Sequence, residues 1–209
     1  MLFRSPVEDL LRLLALESHR HGAVVIGEDL GTVPPGFRAR LRRAGIAGMD
    51  VLWFERTRLA FRNASRWRAD AVAMTTTHDL PTVAGWWSAA DIGTRAKLGL
   101  SDAEREQTER ARDRKRLWSA FRKAGITTSS EPGPSQDAPA VDAAIAFTAQ
   151  SPAPLALIPI EDALGLAEQP NLPGTIDEHP NWRRRLDRPA AELFESTQVQ
   201  ARLKALRKR

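Results

Sequence analysis

Two short acidic stretches carry the side chains best suited to chemistry. Gly27-Glu28-Asp29-Leu30-Gly31 closes the apolar run Ala23-Val24-Val25-Ile26, and Thr77-His78-Asp79-Leu80 closes Ala71-Val72-Ala73-Met74. Each puts a carboxylate where a buried strand is expected to end. In parallel sheets and barrels, reacting groups gather at the C-terminal strand ends, because there the backbone leaves the packed sheet and side chains can reach a substrate. Glu28, flanked by two glycines, has the setting of a general acid whose ionisation an apolar wall could raise. The plainer alternative is a strand-end carboxylate that caps the next helix or pairs with an arginine. Asp29 points to the opposite face by strand alternation and reads as structural. His78 and Asp79 together could hold a sugar hydroxyl while the carboxylate stabilises positive charge developing nearby.

Competing chemistries find less support. There are no cysteines, which excludes disulfides, thiolate metal sites and a cysteine nucleophile. The four histidines, His19, His21, His78 and His179, have no zinc-like spacing, so neither metal nor cofactor is expected. Neither a Gly-x-Ser-x-Gly elbow nor a phosphate-binding Gly-x-x-x-x-Gly-Lys-Ser/Thr loop occurs. Trp53 and Trp86 are candidate stacking platforms for sugar rings, whereas Trp67, Trp87, Trp118 and Trp182 take the default packing role of tryptophan. Asn171-Leu172-Pro173-Gly174-Thr175 is a turn by composition, and its place after the fourth expected strand puts it at the same rim.

The elements that must position these groups alternate in type. An amphipathic helix is expected from Pro6 to Arg20, with Ser5 as N-cap and Val7, Leu10, Leu11, Leu13, Leu14 and Leu16 on one stripe. Strands are expected at 23–28, 49–54, 71–75 and 155–160, the last followed by Glu161-Asp162. A basic helix from Phe37 to Arg43 lies between the first two. A helical insertion over about 80–150 precedes the last strand, with helices at Thr82–Ser88, Ser101–Lys123 and Val141–Ala149 and a Ser/Pro/Gly-rich loop at Thr127–Pro139. A final helix is expected from Ala190 to about Arg207. Alternation of this kind predicts an α/β fold with a parallel sheet, and four strands alone would leave two open edges.

Composition sets the remaining bounds. At 209 residues and 42% apolar content the chain is long enough for one domain with a sizeable core. Its net charge of +5 arises from 31 basic and 26 acidic residues, and the basic runs read as solvated helix faces. Nucleic-acid binding would rest on charge alone. No apolar run has the length of a membrane span, and no signal-peptide pattern opens the sequence. A cytoplasmic protein without membrane or nucleic-acid partners is therefore expected.

Taken together the motifs resemble the C-terminal part of the 4-α-glucanotransferases, also called amylomaltases or disproportionating enzymes. The resemblance runs through Pro6-Val7-Glu8-Asp9-Leu10-Leu11, Leu14-Ala15-Leu16-Glu17-Ser18, Val25 to Pro34, Thr77-His78-Asp79-Leu80-Pro81-Thr82, Asn171 to Thr175, and Asn181-Trp182-Arg183-Arg184. It implies the C-terminal half of a (β/α)8 barrel, strands five to eight, forming one partial catalytic domain over 1–209. It also implies maltooligosaccharide and α-1,4-glucan substrates, Glu28 as acid/base, Asp79 as charge stabiliser, and His78 and Asn171 as substrate contacts. In that family an Arg-x-Asp motif upstream of the first helix carries the nucleophile. None precedes Glu28 here, so a truncated reading frame is expected, inactive alone and completed by the missing barrel half or by self-association. A non-catalytic glucan-binding or assembly fragment is the alternative.

Overall fold

A computed structural model describes residues 6–208 of the chain. Its first helix, α1 (Val7–His21), opens at Pro6 and ends in a left-handed Gly22; the expected cap Ser5 lies outside the described residues. The leucine stripe of α1 is largely unburied: Leu11 packs with Leu41 and Ile46, while Leu10, Leu13, Leu14 and Leu16 remain exposed. Next come the basic helix α2 (Phe37–Arg43) and strand β1 (Gly48–Val51), followed by β2 (Ala71–Met74).

The sheet is parallel, in the order β1-β2-β3, with β3 at Leu155–Leu157. Register puts Met49, Val72 and Leu155 in one row and Val51, Met74 and Leu157 in another. Asp50, Ala73 and Ala156 form the intervening row, which by strand alternation faces the other side. The apolar run of β2 suits a central strand covered on both faces, and Ala71, Val72 and Ala73 are fully buried. β3 is an edge, where Leu155 and Leu157 stay about 40% exposed at 39% and 42%.

Four sequence expectations are corrected here, the first being the strand expected at 155–160, which ends at Leu157 because a helix begins at Ile160 after Pro159. Residues 23–28 form no strand; a single parallel bridge, Ile26 to Ala47, joins this segment to the edge of β1. β1 stops at Val51, because the chain turns back at once: the Phe54 and Glu55 N–H groups both donate to the Val51 carbonyl. The C-terminal helix is broken into α8 (Ala190–Leu193) and α9 (Thr197–Lys204), followed by a short 3-10 turn.

Between β2 and β3 lie α3 (Val83–Ser88), α4 (Ala90–Lys97), α5 (Ala103–Lys123) and α6 (Ala138–Thr148). The sequence reading missed α4, whose interior Gly93 weakens the helical signal. Asp102 caps α5 by accepting from the Arg105 N–H. One face of α5 meets α3 and α6 through Leu117, Trp118 and Phe121, which share the main core with Trp87, Val141, Ile145 and Phe147. Charged residues cover the rest of α5. A short helix, α7 (Ile160–Leu164), follows β3. Among the described residues no helix is long and apolar enough to cross a membrane.

Candidate active site

Glu28 leaves the sheet just beyond the Ile26 bridge, and its side chain is exposed while that of its neighbour Asp29 is buried. Asp29 is held from three directions. It accepts from the Met49 N–H at 2.8 Å, from Arg38 Nε at 2.9 Å, and from both Arg68 terminal nitrogens at 2.5 and 3.2 Å. Burial pushes its carboxyl up, but the Arg68 and Met49 hydrogen bonds and the Arg68 and Arg38 charges outweigh burial and hold it below the usual carboxylate range. Arg68 also grips Asp50 on β1, donating from Nε and from its backbone N–H at 2.7 Å each. The turn that presents Glu28 is thus tied to β1 and to the entry of β2. This network needs Gly48: a Cβ there would stand 2.7 Å from an Arg68 nitrogen and 2.9 Å from an Asp29 oxygen.

The second acidic stretch is fixed from below. After β2 the chain passes through Thr75 and Thr76, turns at His78-Asp79, and re-enters the core at α3, capped by Thr82. Asp162, on α7 and fully buried, closes this loop. It accepts from the Thr75 hydroxyl at one end and from the Val83 N–H at 2.7 Å at the other. Burial pushes its carboxyl up to about 6, against the two hydrogen bonds that favour the charged form. Trp53 pins the loop's middle, its indole N–H shared between Thr76 Oγ1 and the Pro81 carbonyl at 3.1 Å each.

That role corrects the expectation of a sugar platform for Trp53 and Trp86. Both are 7% exposed, and they stack on each other with centroids 4.6 Å apart. Arg110 covers Trp86 at 4.6 Å and Phe61 meets it edge-on. Their area is spent on packing under the loop. The exposed tryptophan at this rim is Trp182, whose ring lies 5.2 Å from that of His78.

The remaining candidates converge. His78 Nε2 lies 3.4 Å from Asp79 Oδ1, and Asn171 Nδ2 donates to the same oxygen at 2.6 Å. Glu28, Thr77, His78 and Asp79 share one cleft of about 390 Å³ at the C-terminal edge of the sheet, with Leu30, Met49, Phe54, Met74, Leu80 and Pro159 as apolar wall. Among the described residues lining it, Glu28 and Asp79 are the two carboxylates. A larger hollow of about 930 Å³ lies beside residues 149–154 and is lined by neither histidine nor carboxylate, so volume does not mark the chemistry. The set fits acid/base work beside a fixed negative charge, with donors and acceptors for hydroxyls. Arg68 and Asp162 went unnoticed in the sequence. The acidic pair closing the fourth strand run was the one signal for Asp162, and nothing local marks Arg68.

Comparison with known proteins gives a consistent set of matches. A family model described as 4-alpha-glucanotransferase matches residues 2–191. The chain is 38% identical over 181 residues to the 4-alpha-glucanotransferase of Mycobacterium tuberculosis, covering 83% of this chain and 25% of that protein. It is 29% identical over 201 residues to the Haemophilus influenzae protein of the same name, covering 90% and 28%. Among solved structures, amylomaltase from Corynebacterium glutamicum superposes with a TM-score of 0.89 at 30% identity, covering 98% of this chain and 31% of that one. The chain therefore spans about a quarter of the length of the curated relatives it matches.

Proposed function

Since this chain belongs to the 4-alpha-glucanotransferase family, we propose that it supplies the acid/base and charge-stabilising side of an α-1,4-glucan transfer site. The observation that carries this is the meeting of Glu28 and Asp79 in one cleft, Glu28 just after the parallel Ile26–Ala47 bridge and Asp79 just after β2. In the proposed reaction Glu28 protonates the departing glycosidic oxygen while a third carboxylate attacks C1, giving a covalent glycosyl-enzyme. Glu28, now ionised, then takes the proton of an acceptor sugar's 4-hydroxyl as that oxygen attacks C1 and releases the nucleophile. Asp79 stabilises the oxocarbenium-like charge, and Asn171 holds its carboxylate in place.

A retaining site of this kind needs its nucleophile about 5 to 5.5 Å from the acid/base carboxyl. Among the described residues lining the cleft, Glu28 and Asp79 are the two carboxylates, so this reading assigns the nucleophile to a residue outside that lining. The finer fold reading goes with this: the Ile26 segment, β1, β2 and β3 are strands five to eight of a (β/α)8 barrel, within one partial catalytic domain. The side-by-side parallel order supports it, as do the exposed apolar residues of α1 and β3, which further strands and helices would cover. A cytoplasmic location, fitting a cysteine-free chain, is part of the same proposal.

The test is maltotriose disproportionation, followed as glucose and longer maltodextrins. The chain alone should show little. A chimera in which residues 2–191 replace the matching segment of the Mycobacterium tuberculosis relative should be active, and Glu28→Gln should lower its turnover roughly 10³-fold. Robust activity of the chimera with Glu28→Gln would remove the acid/base assignment.

A further inference from the structure

We infer that Trp182 is a stacking platform for a glucose ring at the rim of the cleft, beside His78. This rests on the glucan-transfer reading above. Of the chain's six tryptophans, five are buried to 7% exposure or less, whereas Trp182 is 64% exposed. It is also held in a backbone region that bulky residues avoid, with φ at +60°. Packing among residues 6–208 explains neither property, since an exposed indole gains little from burial and the left-handed backbone is unfavourable. Strain of this kind persists where the surroundings impose it, and it concentrates at ligand sites.

The surroundings do impose it. The Trp182 N–H donates to the Pro170 carbonyl at 3.0 Å. Next to it, the Asn181 side chain accepts from the Leu172 N–H at 2.8 Å and donates to Thr175 Oγ1 at 2.9 Å. The loop from 170 to 182 is therefore closed on itself, and it makes two contacts with the acidic turn. Asn171 reaches Asp79 at one end, and the Trp182 ring meets His78 at the other.

A pyranose has an apolar C–H face bordered by hydroxyls. An exposed indole face followed by imidazole, carboxylate and amide matches that order of chemistry, with the ring stacked and the hydroxyls hydrogen-bonded. A flat apolar protein surface would cover Trp182 equally well but would leave His78 and Asp79 without partners of that kind. Trp182 thus sets how a glucose unit lies relative to Asp79 and adds affinity at the point where the glucan leaves the cleft.

The exposure pattern makes the test selective, because acrylamide quenching of the chain's fluorescence reads Trp182 above the five buried indoles. With millimolar maltoheptaose, quenching of the wild-type chain should fall by about half as the sugar shields the ring. Trp182→Asn tolerates the left-handed backbone, so the variant folds; it should lose the quenchable emission and bind maltoheptaose roughly ten-fold more weakly by calorimetry. In the chimera the same variant should raise KM for maltotriose roughly ten-fold, with kcat within about two-fold, and Trp182→Phe should restore most of the loss. Maltoheptaose binding with unchanged quenching and unchanged affinity of Trp182→Asn would overturn the platform and leave the glucan-transfer reading intact. Absence of maltooligosaccharide binding and activity in both wild-type chain and chimera would overturn the two together.

Discussion

Arg68 meets Asp29 through both of its terminal nitrogens, so the residue adjoining Glu28 is fixed by an arginine 39 positions further along the chain. With Asp50 on the other side of the same guanidinium, one cation bridges two buried carboxylates, and Arg38 adds a second positive charge at Asp29. The geometry of Glu28 is therefore a property of a tertiary network and not of the local 23–28 segment.

Arg68→Met should leave Asp29 and Asp50 buried without their main partner. Breaking a buried ion pair from one side typically costs about 3 to 5 kcal/mol, and the partial exposure of Arg68 and the second arginine, Arg38, put this site at the lower end. Urea unfolding of the variant should show a loss of about 3 kcal/mol. A change below about 0.5 kcal/mol would mean the network does not hold the fold.

Gly48→Ala tests the same network without removing a charge. The added methyl would stand against Arg68 and Asp29 at well under contact distance. A loss of about 1 to 3 kcal/mol is expected, part of which should disappear in the Arg68→Met background, since the contact with the guanidinium is removed while that with the Asp29 carboxylate remains. Full additivity of the two substitutions in a double-mutant cycle would contradict that coupling.

Asp162 gives stability an unusual pH dependence. Its folded-state value of about 6 lies above the ordinary 3.8, so between those values the folded protein binds the extra proton. The contribution is fully present below pH 3.8 and is lost as pH rises through 6, a fall of up to about 3 kcal/mol. Asp29, held below its ordinary value, acts oppositely: its contribution is present above pH 4 and lost on further acidification. Asp162→Asn retains an acceptor for the Val83 N–H and a donor toward Thr75. Thermal melts from pH 4 to 7 should show the variant flatter than wild type and relatively more stable at pH 7. A parallel pair of curves would refute the assignment.

Asn171→Ala should act on turnover more than on stability. The amide is the fixed donor to Asp79 Oδ1, and without it the carboxylate can rotate away from the charge it is proposed to stabilise. In the chimera kcat should fall roughly 10- to 100-fold, with the melting temperature within about 2 °C. A lowered melting temperature with unchanged kcat would assign Asn171 to holding the loop instead.

The sequence pattern located both acidic stretches and the central strand, because those signals are local: a continuous apolar run followed by a polar turn. It overextended the Ile26 segment, since pairing depends on which backbone lies alongside, and Ala47 offers one bridge. Tryptophan roles were the least legible. Trp53, Trp86 and Trp182 look alike in composition, yet the first two stack together in the core while the third is lifted to the surface by a loop that closes on Pro170, twelve residues earlier. The roles of Arg68 and Asp162 were not legible for a related reason, as partners of theirs stand 39 and 87 residues away.

The ladder between β2 and β3 joins Val72 to Leu155, with four helices of intervening chain. Closing so long a loop is entropically unfavourable before any ladder bond forms. The α3, α5 and α6 core, built from nearer neighbours in sequence, brings those strand ends together once it has condensed. Pulse-labelling hydrogen exchange during refolding should protect Phe121 and Ile145 amides before that of Ala156. The helical insertion would then be the element that nucleates the sheet, and the cleft would be among the last parts of the molecule to assemble.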